Sequence, residues 1–154
     1  MELLTGETMI AQTIQLALAP VFVLVAIGNI MSTLSQRLGR IVDRSRQLQD
    51  RHGQTEGKEH DMVVREIRVI DRRIALISHA LLSLVVGGLS IGVTVVLLFL
   101  EEFAHLGLNP VAAGTFILAI SMLMWALVLF LRETREATEA LRIPEMYLER
   151  EREL

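Results

Sequence analysis

The sequence predicts an all-α membrane protein of three transmembrane helices, the first two prolonged into a cytoplasmic antiparallel helical hairpin, with the N-terminus outside and the C-terminus inside. Three observations predict it. Apolar residues make up 52% of the 154-residue chain and are gathered into three long runs. Each run reaches the roughly 20 residues needed to cross a hydrocarbon core of about 30 Å. None of the runs contains Asp, Glu, Lys or Arg, and all fifteen Lys and Arg residues fall on one side of the pattern. Ten lie between Arg37 and Arg73, after the first run, and five between Arg132 and Arg152, after the third. The positive-inside rule places both basic stretches in the cytoplasm.

The elements follow in order. Residues 1–8 form an external tail carrying Glu2 and Glu7 but no cation. A tail of that kind lacks the basic start of a cleaved signal peptide, so residues 9–34 are expected to be a permanent first span. Beyond it, Leu34, Leu38, Ile41 and Leu48 keep helical spacing, and no proline intervenes before His52. Helix one then extends to about Arg51, roughly 60 Å at the α-helical rise. Residues 35–73 are the cytoplasmic hairpin, and the polar HGQTEGK stretch at 52–58, with two glycines, is its tip. Returning from the tip, Val63, Ile67, Ile70, Ile74, Ile77 and Leu81 alternate steps of four and three. That heptad seam runs unbroken into the second span, residues 74–100. Residues 101–109 are a short outer loop, and Pro110 suits the first turn of the third span, residues 110–131. Residues 132–154 make a mixed-charge cytoplasmic tail, helical and broken near Pro144.

Helix one carries a continuous small and polar face. Thr8, Gln12, Gln15, Ala19, Phe22, Ala26, Asn29, Thr33, Gln36, Arg40, Asp43, Gln47 and Asp50 follow steps of three and four. A polar side chain facing lipid is costly, so this face is expected to meet protein or water. In one case it packs on neighbouring helices through hydrogen bonds and close contacts. In the other, copies of helix one surround an axis, and Gln12, Gln15, Ala19, Phe22, Ala26, Asn29, Thr33 and Gln36 line a wet path. Phe22 is then a bulky midplane constriction that gates by dewetting. Gly28, Ser32, Ser35 and Gly39 form a second face of helix one, expected to pack on Ser83, Gly87, Ser90 and Thr94 of helix two. Helix three, with Ala112, Thr115, Ala119 and Ala126, is expected outermost, against lipid.

Past the first span comes the segment R-L-G-R-I-V-D-R-S-R-Q-L, residues 37–48, followed on the returning helix by the R-R-I of residues 72–74. These residues resemble a bacterial domain-of-unknown-function family of small three-span membrane proteins, over most of residues 9–131. The resemblance implies that fold and a multi-pass setting in the bacterial inner membrane, and implies no activity. Arg37, Arg40, Asp43 and Arg44 are candidates for a cytoplasmic mouth or for pairing between subunits. Alternatively these arginines secure topology and bind anionic lipid head groups, each worth about 1 kcal/mol near the surface. His79, in the inner part of span two, is expected to snorkel or hydrogen-bond rather than act.

Several classes are excluded by what is missing. The chain has no cysteine, which removes thiolate metal sites and thiol chemistry. The four histidines show no metal-ligand spacing, and neither a phosphate-cradling glycine loop nor a nucleophile with a base appears. No enzyme activity, cofactor or metal is therefore expected. Nucleic acid is an unsuitable partner, since residues 37–73 mix seven acids with their ten cations and contain no aromatic residue for stacking. The partners expected are the bilayer, further copies of the chain in a cyclic homo-oligomer, and anionic lipid. The function these features point to is a homo-oligomeric channel lined by helix one. The alternative is a non-conducting scaffold or regulatory subunit that docks a partner or anionic lipid through the hairpin.

Overall fold

The computed structural model describes the backbone of residues 2–104 and 107–140, and the side chains of Gln15, 18–104 and 107–138. Three helices account for almost all of it: α1 at Glu2–His52, α2 at Gly57–Ala104 and α3 at Asn109–Ala140. All three are long and apolar enough to cross a membrane, over Leu18–His52, Gly57–Ala104 and Asn109–Thr138. The chain is an all-α, multi-pass membrane protein.

α1 is continuous from Glu2 through Pro20 to His52. The segment read from sequence as a tail, residues 2–8, is therefore helical. Proline removes one backbone donor, and membrane helices tolerate this because neighbouring groups and local adjustment satisfy the freed carbonyl. The helix stops at the tip, where the Gln54 N–H donates to the Arg51 carbonyl at 2.9 Å and the Thr55 hydroxyl to the same oxygen at 3.2 Å. Gly57 then starts α2 with a φ of 63°, a conformation that costs glycine little. At the opposite end, Glu101 accepts the Leu108 N–H at 2.6 Å. The Leu108 carbonyl in turn accepts the first free N–H groups of α3, from Val111 and Ala112 at 3.0 and 2.9 Å.

α2 is the central helix, and it presents a different seam to each neighbour. Toward α1, Val63, Ile70, Ile77, Leu84 and Ile91 recur every seven residues and are buried. On α1, Ile27, Leu34, Ile41 and Leu48 recur with the same period, are buried, and share one core with them. Two heptad seams of bulky aliphatics running in opposite directions make an antiparallel coiled-coil-like hairpin. A second α2 seam, Arg73, Ala80, Gly87 and Thr94, also steps by seven, and it faces Ala112, Ala119, Ala126 and Glu133 of α3 with the same step. Two contacts fix this pairing: a Cβ built on Gly87 would lie 3.3 Å from the Ala119 carbonyl oxygen, and Thr94 and Thr115 share a hydroxyl hydrogen bond at 2.8 Å. Small residues let these two backbones approach, which is how helices gain packing energy where lipid removes the hydrophobic drive.

The packing expected of α1 differs. Gly28 and Gly39 have open space where a Cβ would sit, and Ser32 and Ser35 are exposed. The small face of α1 therefore does not meet α2. The bulky heptad takes that side, and Gly87 and Thr94 of α2 meet α3 instead. α1 and α3 scarcely touch, so they flank α2 as two outer helices, and α3 alone is not the outermost.

The α2–α3 contact yields a direct expectation. Gly87→Leu should destabilise the bundle by about 1–3 kcal/mol through overpacking, read as a lower denaturation midpoint in detergent. Gly114→Leu, where nothing lies within 4 Å, should not. Equal midpoints for the two variants would contradict the close approach described here.

Candidate functional site

The α1 stripe is open along its whole described length. Gln15, Ala19, Phe22, Ala26, Asn29, Thr33, Gln36, Arg40, Asp43, Gln47 and Asp50 are all exposed, and Phe22 is 70% exposed. The side chain of Gln12 lies outside the described residues. Thr33 donates to the Asn29 carbonyl of its own helix at 3.1 Å, and Gln36 to the Ser32 hydroxyl at 3.4 Å. Neither α2 nor α3 covers the face. With Gly28, Ser32, Ser35 and Gly39 beside it, the stripe forms a broad small and polar surface over the middle of α1.

Among the described residues, the most deeply buried charged group lies elsewhere. Glu133, on α3, is fully buried, 0% exposed. Its Oε1 accepts from Nε and Nη2 of Arg73 at 3.1 and 2.8 Å. Its Oε2 is 3.2 Å from Nη1 of Arg37, a charge contact that is not an aligned hydrogen bond. Arg37 directs Nη1 to the Thr134 hydroxyl at 3.0 Å, and that hydroxyl donates to the Phe130 carbonyl at 2.9 Å. The same guanidinium stands 5.2 Å from the centroid of the Phe130 ring, within cation–π range. One carboxylate thus ties all three helices together.

Arg44, one of the expected mouth residues, is engaged within the chain. Its Nε and Nη2 donate to Oε1 of Glu66 on α2 at 2.9 and 2.7 Å. Both side chains are more than 40% exposed, so the pair contributes less than about 1 kcal/mol. Arg40 and Asp43 have no ion pair or hydrogen bond among the described residues. Between Arg40 and the Glu133 cluster opens a cleft of about 420 Å³, lined by Arg37, Arg40, Ile41, Arg44, Glu66, Arg73 and Ala137. The structure brings Arg37, Arg40 and Arg44 to one place and leaves Asp43 outside the lining.

The histidines separate. Nδ1 of His79 lies 2.7 Å from the Ala75 carbonyl of its own helix, an intrahelical contact that gives it a partner at an exposed position. His52 and His60, apart in sequence, meet across the tip with ring centroids 4.4 Å apart. Among the described residues no group of three His, Asp or Glu side chains could hold a metal ion.

Glu133, Glu66, Thr134 and Phe130 were not singled out from sequence, and Arg73 stood only in the R-R-I of residues 72–74, with no role assigned to it. A signal for Glu133 existed: Ala112, Ala119 and Ala126 repeat every seven residues, and the next step lands on Glu133. The family described as "Protein of unknown function (DUF2721)" matches residues 17–143, and the chain belongs to it. That span contains the stripe from Ala19 onward and the whole arginine cleft. Neither the curated proteins nor the solved structures gave a match.

Proposed function

From membership of that family, whose description carries no activity, we propose that the chain works as a homo-oligomeric channel of the bacterial inner membrane. In this reading copies of α1 surround the conducting path, and the basic hairpin end faces the cytoplasm by the positive-inside rule. One observation carries it: the polar and small face of α1, from Gln15 to Gln36, is exposed in the single chain. Amide and hydroxyl groups turned to hydrocarbon are costly, whereas a lumen or a neighbouring copy satisfies them. Three helices by themselves enclose no wide pore, so the path requires a ring of subunits. Phe22, the bulky apolar member of the face, is its constriction, and Arg40 and Asp43 extend the face into a charged cytoplasmic mouth.

Phe22→Ser is expected to raise single-channel conductance several-fold in reconstituted bilayers, because a small polar residue wets the narrow point. Absence of current from both the parent and the variant would reject conduction. The second reading, a non-conducting scaffold, is favoured by a different observation: the hairpin beyond Gln36 presents exposed charges at Asp43, Arg46, Asp50, Arg51, Arg65, Arg68 and Arg72. A scaffold would lose its partner when residues 52–58 are deleted, and its purified form would carry no current.

A further inference from the structure

We propose that the cleft at the hairpin end of the bundle is a binding site for a phosphate group, presented on a lipid or free in solution. This goes beyond conduction and does not depend on it. Four guanidiniums, of Arg37, Arg40, Arg44 and Arg73, line a space of about 420 Å³. Among the described residues, two carboxylates oppose them: Glu66 in the lining and Glu133 behind Arg73 and Arg37. Two positive charges are left in excess.

The four arginines are not equivalent. Arg73 and Arg37 are held by Glu133 and, for Arg37, by Thr134, so their guanidiniums are oriented before any ligand arrives. A preordered guanidinium loses less freedom on binding and matches phosphate oxygens bidentately. Arg44 is tethered to Glu66 by an exposed pair, weak enough for an incoming anion to compete for it. Arg40 reaches the cleft from an exposed position with no described partner. The arrangement is therefore two fixed donors, one exchangeable donor and one free donor around a single concavity. Its volume falls within the range of small-ligand sites. Ile41 and Ala137 supply the apolar part of the lining. A surface that merely satisfied topology would spread its arginines, as Arg46, Arg51, Arg68 and Arg72 are spread over exposed positions. The cleft gathers four from two helices around one space.

The test uses the full-length protein in phosphatidylcholine nanodiscs, titrated with glycerol 3-phosphate in solution or prepared with phosphatidic acid admixed. The same phosphomonoester is thus offered free and on a lipid. Protection of α1 and α2 amides around residues 37–44 and 66–73 against hydrogen exchange reports occupancy. Protection is expected with at least one presentation, and Arg40→Gln should weaken it about ten-fold, the equivalent of 1.4 kcal/mol. Arg40 has no described partner in the chain, so this change leaves the Glu133 cluster intact. Arg46→Gln, exposed and outside the cleft, should change nothing. Protection by glycerol 3-phosphate alone identifies a soluble ligand, and protection only by phosphatidic acid identifies a lipid head group; either supports the site. Absence of protection with both, or equal loss in Arg40→Gln and Arg46→Gln, would overturn it. Conductance of Arg40→Gln is recorded separately, so a failure here is distinguishable from a failure of the channel reading.

Discussion

Glu133→Ala is expected to destabilise the folded bundle by about 3 kcal/mol or more, the usual result of removing one partner from a buried ion pair. The carboxylate is fully buried, while the Arg37 and Arg73 side chains retain 25% and 19% exposure. Without Glu133 the two guanidiniums face each other with no counter-charge. Partial exposure lets them relax toward water, which puts the effect at the lower end of the usual range. Arg37 also loses its ionic tie to α3, keeping only Thr134 and the Phe130 ring. The double variant Arg73→Met, Glu133→Leu should recover most of the loss, because apolar residues of similar volume replace buried charges at little or no cost. Denaturation midpoints in detergent decide the matter. A Glu133→Ala protein within about 1 kcal/mol of the parent would show that the triad does not hold the three helices together.

Leu48→Ala is expected to cost about 2–5 kcal/mol, the range for removing a buried leucine side chain. Leu48 is buried near the tip in the same core as Val63. Near the tip, the described core is built from this α1–α2 seam. The loss should therefore appear as local opening, accelerating amide exchange in residues 41–70 by about thirty-fold or more. Exchange in the α2–α3 contact around Gly87 and Ala119 should be unchanged. Gln47→Ala, one residue away and exposed, should have little effect. Uniform acceleration along the whole chain would indicate that hairpin and membrane helices unfold as one unit.

The three-helix architecture was legible because each determinant is local. Three apolar runs, the glycines of the tip, Pro110 at the start of α3 and the heptad of Val63 to Leu81 all act within a few turns. The stripe on α1 was legible for the same reason, since its steps of three and four place it on one face regardless of neighbours. Which helix each small face would meet was not legible. Gly28 and Gly39 on α1 and Gly87 on α2 are equally suited to close packing, and the pairing of these two faces expected from sequence is not the one adopted. The rotation of α1 is instead set by its bulky heptad. Ile41 and Leu48 bury in one core with Val63 and Ile70 toward the tip, and an unbroken helix carries that rotation to Gly28. Gly28 and Gly39 are then turned outward.

The arginine site shows the same limit. Arg37, Arg40 and Arg44 could be named from their spacing after the first span. Arg73 stood in the R-R-I motif without a partner, and Glu133, far away in the chain, could not be named, because a glutamate just past a span looks like a solvated charge. By itself the sequence determined the helices, the membrane class, the one-sided distribution of arginines and the polar face of α1, all of which follow from periodicity and charge along one chain segment. Only the tertiary structure decided that α2 is central, that the α1 face is left uncovered, and that one buried carboxylate gathers arginines from two helices. Those outcomes depend on how long helices rotate and register against one another, a global property that no single helix encodes.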